Sequence, residues 1–272
     1  MTLEPLLIVE LLLMGMTSGF LAGLLGIGGG MIMVPFITLI MSARGVSPDL
    51  SVKMAIATSM AAIVFTSISS VRAHHKRGAV RWDIVKGLAP GIVLGAAIAS
   101  LGVFSLLKGA WLAIFFGLFV SFSATQMFLD KGKPPPTRQM PVGLAKVASG
   151  GLIGFMSGLV GAGGAFISVP LMTACNVAIH NAVATSAALG FPIALANALG
   201  YVVSGWGIPG LPVGALGYIW LPALLVIAMA SVLTAPLGAK VAHSMNIKRL
   251  KRIFACVLYL LAAYMFYKGF KG

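Results

Sequence analysis

Charge is what this chain has least of. Only 9% of its 272 residues are Asp, Glu, Lys or Arg, and only five are acidic. A soluble domain carries roughly 25% charged residues, so a water-facing globule is excluded. The lack of acids excludes more, because ion-coupled cation transporters rely on a carboxylate buried in the membrane. The one candidate here is Glu10. Cysteine is equally sparse: Cys175 and Cys256 both lie in apolar stretches. Two isolated thiols make neither a metal site nor a disulfide framework, so both are expected to be small core residues. No metal and no cofactor is expected. The ten-residue alternation of an outer-membrane barrel is also missing. The N-terminal "MTLEPLLIVELLL" lacks a basic n-region, so it is expected to belong to the first membrane segment rather than to a cleaved signal.

What the chain does have is apolar length. Hydrophobic residues make up 59% of it, and its mean hydropathy is +1.04. Apolar runs cover roughly 5–41, 49–71, 84–107, 109–129, 143–174, 181–205, 213–239 and 253–267, and several approach the ~20 residues a spanning helix needs. The expected fold class is an all-α integral membrane protein, a polytopic helical bundle of about eight to ten membrane segments. The net charge of +14 would suggest nucleic acid in a soluble protein. In a membrane protein it reads as basic cytoplasmic loops. The expected partner is therefore the lipid bilayer, with no nucleic acid.

One stretch recurs. "GFLAGLLGIGGGMIMVP" (19–35) matches "GFMSGLVGAGGAFISVP" (154–170) at an offset of 135, with 10 of 17 positions identical. "KMAIATS" (53–59) then matches "HNAVATS" (180–186) at an offset of 127. Two matched blocks in one order define two membrane repeats, 1–130 and 143–272. They are joined by a Pro-rich basic linker, 131–142, expected to be cytoplasmic. Loop charge suggests their orientation. The loop after the second membrane segment is basic in the first half (Arg72, Lys76, Arg77, Arg81, Lys86), whereas its counterpart, 200–217, has no Lys or Arg. The next loop reverses this, with Lys108 alone against Lys240, Lys248, Arg249, Lys251 and Arg252. Short basic loops stay in the cytoplasm, so the halves are expected to be inverted repeats, with both termini external. Inversion needs an odd number of net crossings per half. The first run is therefore expected to form two short helices or a re-entrant hairpin, bent at "GIGGG".

Breaking a helix inside a membrane exposes N–H groups at the start of its second half. Those groups and the half-dipole, roughly +0.5 charge, favour an anion. The breaks at Gly26–Gly30 and Gly161–Gly164 are thus a candidate site near the repeat pseudo-axis, with Gly28, Gly29, Gly30, Gly163 and Gly164 as candidate binding residues. Gly87, Gly91, Gly95 and Ala99 read instead as a stripe for close helix packing. "GIGGGM" is not a nucleotide loop: Met31 stands where the last glycine would, and no Lys-Ser/Thr follows. The second block adds Thr58, Ser59, Thr185 and Ser186, hydroxyls able to donate to an anion or to their own helix. Lys53 and His180 hold equivalent helix-entrance positions, either to attract an anion or to snorkel. Asn197 is a polar residue deep in a span, with a helix–helix hydrogen bond as its plainer role. His74 and His75 read as solvated loop residues.

These motifs, with the "ATS" tripeptides and "TSISSVRAHHKRGAVRWD", resemble the TauE/SafE family of sulfite exporters, also called the toluene sulfonate uptake permease family. The resemblance runs from about Leu6 to Phe266. It implies movement of sulfite or organosulfonates such as sulfoacetate across the bacterial inner (plasma) membrane. It places the family's Gly-rich motifs on Gly28-Gly29-Gly30 and Gly163-Gly164, and its Thr-Ser pairs on 58-59 and 185-186. Ala162 and Ala165 depart from a symmetric pattern. The resulting expectation is a secondary transporter, not an enzyme, exporting a small sulfur oxyanion, with sulfite first. Organosulfonate transport is the alternative, and an intramembrane Ser/His hydrolase using Ser59 or Ser186 is a remote third. A homodimer is an open expectation.

Overall fold

Among the described residues ten helical elements, five in each half, organise the chain. The computed structural model describes residues 4–26, 28–129, 139–242 and 247–271, with side chains in the last helix from 254 onward. In the first half these are α1 (Pro5–Leu25), α2 (Gly30–Ala43), α3 (Pro48–His75), α4 (Trp82–Leu106) and α5 (Gly109–Leu129). The second half has α6 (Gly143–Val160), α7 (Ala165–Ala174), α8 (Ile179–Ser204), α9 (Leu221–Ala242) and α10 (Ile247–Lys271). Among the described residues eight helices are long and apolar enough to cross a membrane, and α2 and α7 are shorter apolar helices. A two-residue hairpin, β1 (Ala215–Leu216) and β2 (Ile219–Trp220), leads into α9. Most of the expected linker, 131–138, lies outside the described residues.

The two long apolar runs are divided where the sequence is richest in glycine. α1 ends on Gly26 (φ 68°) and α6 on Gly161 (φ 74°), while Gly29 (φ 76°) and Gly164 (φ 79°) precede α2 and α7. All four are left-handed, a conformation glycine adopts without steric cost. The first run takes the hairpin form. Arg44, just after α2, lies 3.7 Å from Glu4, just before α1, so α2 returns toward the end where α1 began. The two arms are unequal: α1 is 21 residues long, enough to span, while α2 has 14.

Close packing fixes the rest, since lipid tails supply no hydrophobic drive between helices and small residues let backbones approach. The face of α1 bearing Gly15, Gly19 and Gly23 lies along α9 at Ile227, Ser231 and Ala235. In the same way the Gly87–Gly91–Gly95 stripe of α4 lies along α6 at Lys146, Val147 and Gly151, which is the packing role expected of it. In both pairs the contacts advance together along the two helices, so partners run parallel. The halves therefore interlock, each contributing one helix to the other's outer layer. α3 and α8 cross at the centre in opposite senses: Ser67 meets Gly190, while Ala79, beyond the end of α3, meets Asn181 near the start of α8. They are the most enclosed spans, with 72% of their apolar windows buried against 33–50% for the other six. α5 and α10 pack antiparallel, Gly117 on Phe266 and Gly269 on Ile114.

Two expectations are corrected here. Cys175 is only half-buried and Cys256 is exposed on α10; a helix apolar all round does not reveal which face meets lipid. His74 is not a loop residue. α3 runs on through His75, and His74 is 1% exposed with Nε2 3.0 Å from the Gly23 carbonyl oxygen. His75 does face outward, where the Trp82 indole N–H donates to its Nδ1 at 3.1 Å.

Candidate functional site

The breaks meet at the middle of the molecule. A Cβ on Gly28 would lie 3.0 Å from the Gly163 Cα, and one on Gly30 would strike the Gly161 carbonyl oxygen. Gly28 and Gly163 are equivalent by the offset of 135, so the contact between halves falls on matching residues. Around it the polar contacts come in reciprocal pairs. The Ser59 hydroxyl lies 3.1 Å from the Gly161 carbonyl oxygen, and its equivalent Ser186 lies 3.3 Å from that of Gly26. Ser59 shares its hydroxyl hydrogen with a nearer acceptor in its own helix, the Ile56 carbonyl oxygen at 2.8 Å, and Ser186 also accepts from the Ser168 hydroxyl at 2.9 Å. Thr58 Oγ1 accepts the Trp220 N–H at 3.0 Å, and Thr185 Oγ1 accepts the Arg81 N–H at 3.0 Å. Those N–H groups stand at the entrances of α9 and α4. The repeated Thr-Ser pairs therefore bond backbone across the two halves.

Helix ends leave both carbonyls and N–H groups without helical partners. At these breaks the carbonyls of Gly26 and Gly161 lie within reach of serine hydroxyls. Among the described residues the N–H groups of Gly163, Gly164, Ala165 and Phe166, at the start of α7, have no acceptor, and neither do those of Gly29, Gly30 and Met31 at the start of α2. Residues 163–166 and 29–31 are buried. With these N–H groups open, each break presents backbone donors at the positive end of a half-helix, which favours an anion.

Ser157 belongs beside this site. Its hydroxyl is buried without a partner, and it lies 3.0 Å from where a Gly164 Cβ would stand. The repeat alignment contains the signal for it: Ser157 faces Ala22 in the other half, so a polar group stands in one copy only. His74 and Tyr201 are a second pair unnoticed in the sequence. They are equivalent by the offset of 127, and each hydrogen-bonds the backbone one turn before a break, at Gly23 and Gly158.

Of the remaining expected residues, Lys53 and His180 lie at helix entrances away from the breaks, and Asn197 lies against Gly158, one turn before the second break. Lys53 is 6% exposed, with Nζ 3.3 Å from Asp49 and 3.4 Å from the Ser105 carbonyl oxygen, and it sits 5.9 Å from the Tyr218 ring centre. Burial, and then the Asp49 charge, push the Tyr218 phenol above its usual pKa. His180, the equivalent of Lys53, is exposed. The Asn197 amide N–H donates to Ile193 O within its own helix at 2.9 Å, leaving Oδ1 buried and unpartnered against Gly158. Glu10 is exposed on α1, and no cluster of three metal-ligating groups occurs among the described residues.

Comparison with known proteins agrees with this architecture. The family model of the sulfite exporter TauE/SafE matches residues 11–265. A probable membrane transporter protein of Haemophilus influenzae is 39% identical over 257 residues, covering 94% of this chain and 97% of its own. Probable membrane transporter proteins of Methanocaldococcus jannaschii and Bacillus subtilis are each 26% identical, covering 96% of this chain and 96% and 98% of their own. No solved structure matches. These relatives are transporters rather than enzymes, which sets aside the hydrolase alternative. A polytopic helical membrane protein that matches the family over residues 11–265, this chain belongs to the TauE/SafE family and is a membrane transporter.

Proposed function

We propose that this transporter exports a small sulfur oxyanion, sulfite first, and binds it at the paired helix breaks. The observation that carries the reading is the set of buried N–H groups at the starts of α2 and α7, which have no acceptor among the described residues and lie where the two breaks meet. Ser157 adds a neutral donor at the α7 end. The Gly-rich residues 28–30 and 163–164 are the anion's backbone ligands in this reading. Thr58, Thr185, Ser59 and Ser186 hold the frame. Because the breaks touch, anion entry requires α2 and α7 to part.

The halves 1–130 and 143–272 act as inverted repeats around that site. Supporting this, α3 and α8 cross in opposite senses, and the packing of α1 on α9 mirrors that of α6 on α4. Arg77 donates to the Ala239 carbonyl oxygen at 2.9 Å and Lys146 to that of Asp83 at 3.2 Å, gathering the basic loops at one end. By the charge rule that end faces the cytoplasm of a bacterial inner membrane. Export then needs no coupling ion. One charge crossing 100 mV is worth ~2.3 kcal/mol, and a dianion leaving a negative interior gains about twice that. The organosulfonate alternative needs a second anchor, and Lys53, a buried cation that could supply one, already pairs with Asp49.

The test is sulfite flux in proteoliposomes with sulfate and sulfoacetate as competitors, comparing native protein with Ser157→Ala. A hydrogen bond to a charged group contributes about 1.5–3 kcal/mol, so the variant should need roughly tenfold more sulfite for half-maximal flux. Flux of sulfoacetate but not sulfite would replace the substrate. An unchanged sulfite dependence in Ser157→Ala would remove Ser157 from the site.

A further inference from the structure

A cavity lies away from the helix breaks. It is a groove of about 650 Å³ between the second half of α3 and the end of α9. Its two ends differ in chemistry. At one, Phe65, Val232 and Leu237 form an apolar floor; at the other, Arg72, Lys76 and Lys240 form a basic rim. Phe65 and Leu237 are 47% and 56% exposed, so the floor is open to whatever surrounds the helices. Among the described residues no carboxylate lies within ion-pair distance of the three rim cations. Arg77 also borders the groove, but its guanidinium is engaged with the carbonyls of Ala239 and Lys240.

We propose that this groove holds an anionic phospholipid, with its phosphate on Arg72, Lys76 and Lys240 and an acyl chain along Phe65, Val232 and Leu237. Depth argues for a lipid. The eleven residues from Phe65 to Lys76 rise about 16 Å along α3, roughly half a ~30 Å hydrocarbon core. The groove therefore runs from mid-membrane to the interface, the length of one leaflet, with cations only at the headgroup level. A soluble anion would use the rim and leave the floor bare. The repeat architecture does not require the charges: the residues equivalent to Arg72 and Lys76 are Leu199 and Val203, both exposed. The basic rim thus exists on one leaflet only, the one whose loops carry the chain's excess of Lys and Arg. Basic pockets between membrane helices at that level bind anionic headgroups.

Native mass spectrometry of the full chain in detergent, titrated with phosphatidylglycerol or phosphatidylcholine, tests this. Phosphatidylglycerol should bind at least tenfold more tightly. Each cation removed near a membrane surface should weaken it by about fivefold, so Arg72→Gln/Lys76→Gln/Lys240→Gln should lose on the order of 100-fold. The charge-matched Lys108→Gln/Lys268→Gln/Lys271→Gln should bind as native. Ala73→Trp, which fills the groove without altering charge, should also expel the lipid, and it serves if the triple variant fails to fold. Equal binding of the two lipids, equal losses in both charge variants, or displacement by free glycerol 3-phosphate at lipid-like concentrations would each overturn the proposal.

Discussion

A methyl group added at Gly30 has nowhere to go, because it would land on the Gly161 carbonyl oxygen. One added at Gly190 or Gly102 has room: the nearest atom to the first is 3.5 Å away, and nothing lies within 4 Å of the second. Backbone cannot yield as a flexible side chain can, so Gly30→Ala should cost about 1–3 kcal/mol. Gly190→Ala and Gly102→Ala should be neutral or stabilising by up to ~1 kcal/mol, the gain in helix propensity. Thermal unfolding in detergent separates the two classes, and equal melting temperatures would contradict the packing described. The threonines allow a finer test. Thr58→Val orphans the Trp220 N–H in a fully buried hydrogen bond, whereas Thr185→Val orphans the Arg81 N–H in a part-buried one. An orphaned buried donor costs about 1–3 kcal/mol, and less where water can reach it. Thr58→Val should therefore destabilise more, although the two residues are equivalents in sequence.

At the scale of elements, the helix pairs carry the fold. The Gly91 face of α4 lies on the Val147 backbone of α6. Gly91→Leu should pry the pair apart and remove the protein from a single monodisperse peak on size exclusion, whereas Leu at Gly102 should be carried without loss. This is also the scale at which the sequence was most readable. The breaks, the eight spans and the glycine stripe of α4 follow from run length, glycine spacing and the repeat. Three things did not follow, each for a physical reason. Cys256 is not legible because α10 is apolar on faces that meet lipid and faces that meet protein alike. His74 reads as a loop residue because basic residues flank it, while its ring bonds a carbonyl of another helix. Ser157 is not legible from the repeat because its counterpart is Ala22, so it belongs to no shared motif. The Thr-Ser pairs were found, yet their hydrogen bonds run to backbone of the opposite half, which no local pattern displays.

For the whole molecule, the interlocking has a consequence for assembly. Since α1 lies on α9 and α4 on α6, neither half closes its own packing. Residues 1–130 expressed alone should fail to give a monodisperse membrane protein, and co-expression with 143–272 should restore one. Independent folding of either half would contradict the interlocked arrangement. The same closure bears on transport. Break touches break at the centre, residues 29–31 and 163–166 are buried, and the proposed anion site opens only if the halves move. The measurement that tests this account most directly is sulfite flux from proteoliposomes under a potassium–valinomycin potential, native protein against Gly30→Ala, with Gly190→Ala as control. Flux that accelerates when the side sulfite leaves is made negative, survives in Gly190→Ala and is lost in folded Gly30→Ala is the result expected of an electrogenic anion path through the breaks. Flux indifferent to potential, or intact in Gly30→Ala, would contradict it.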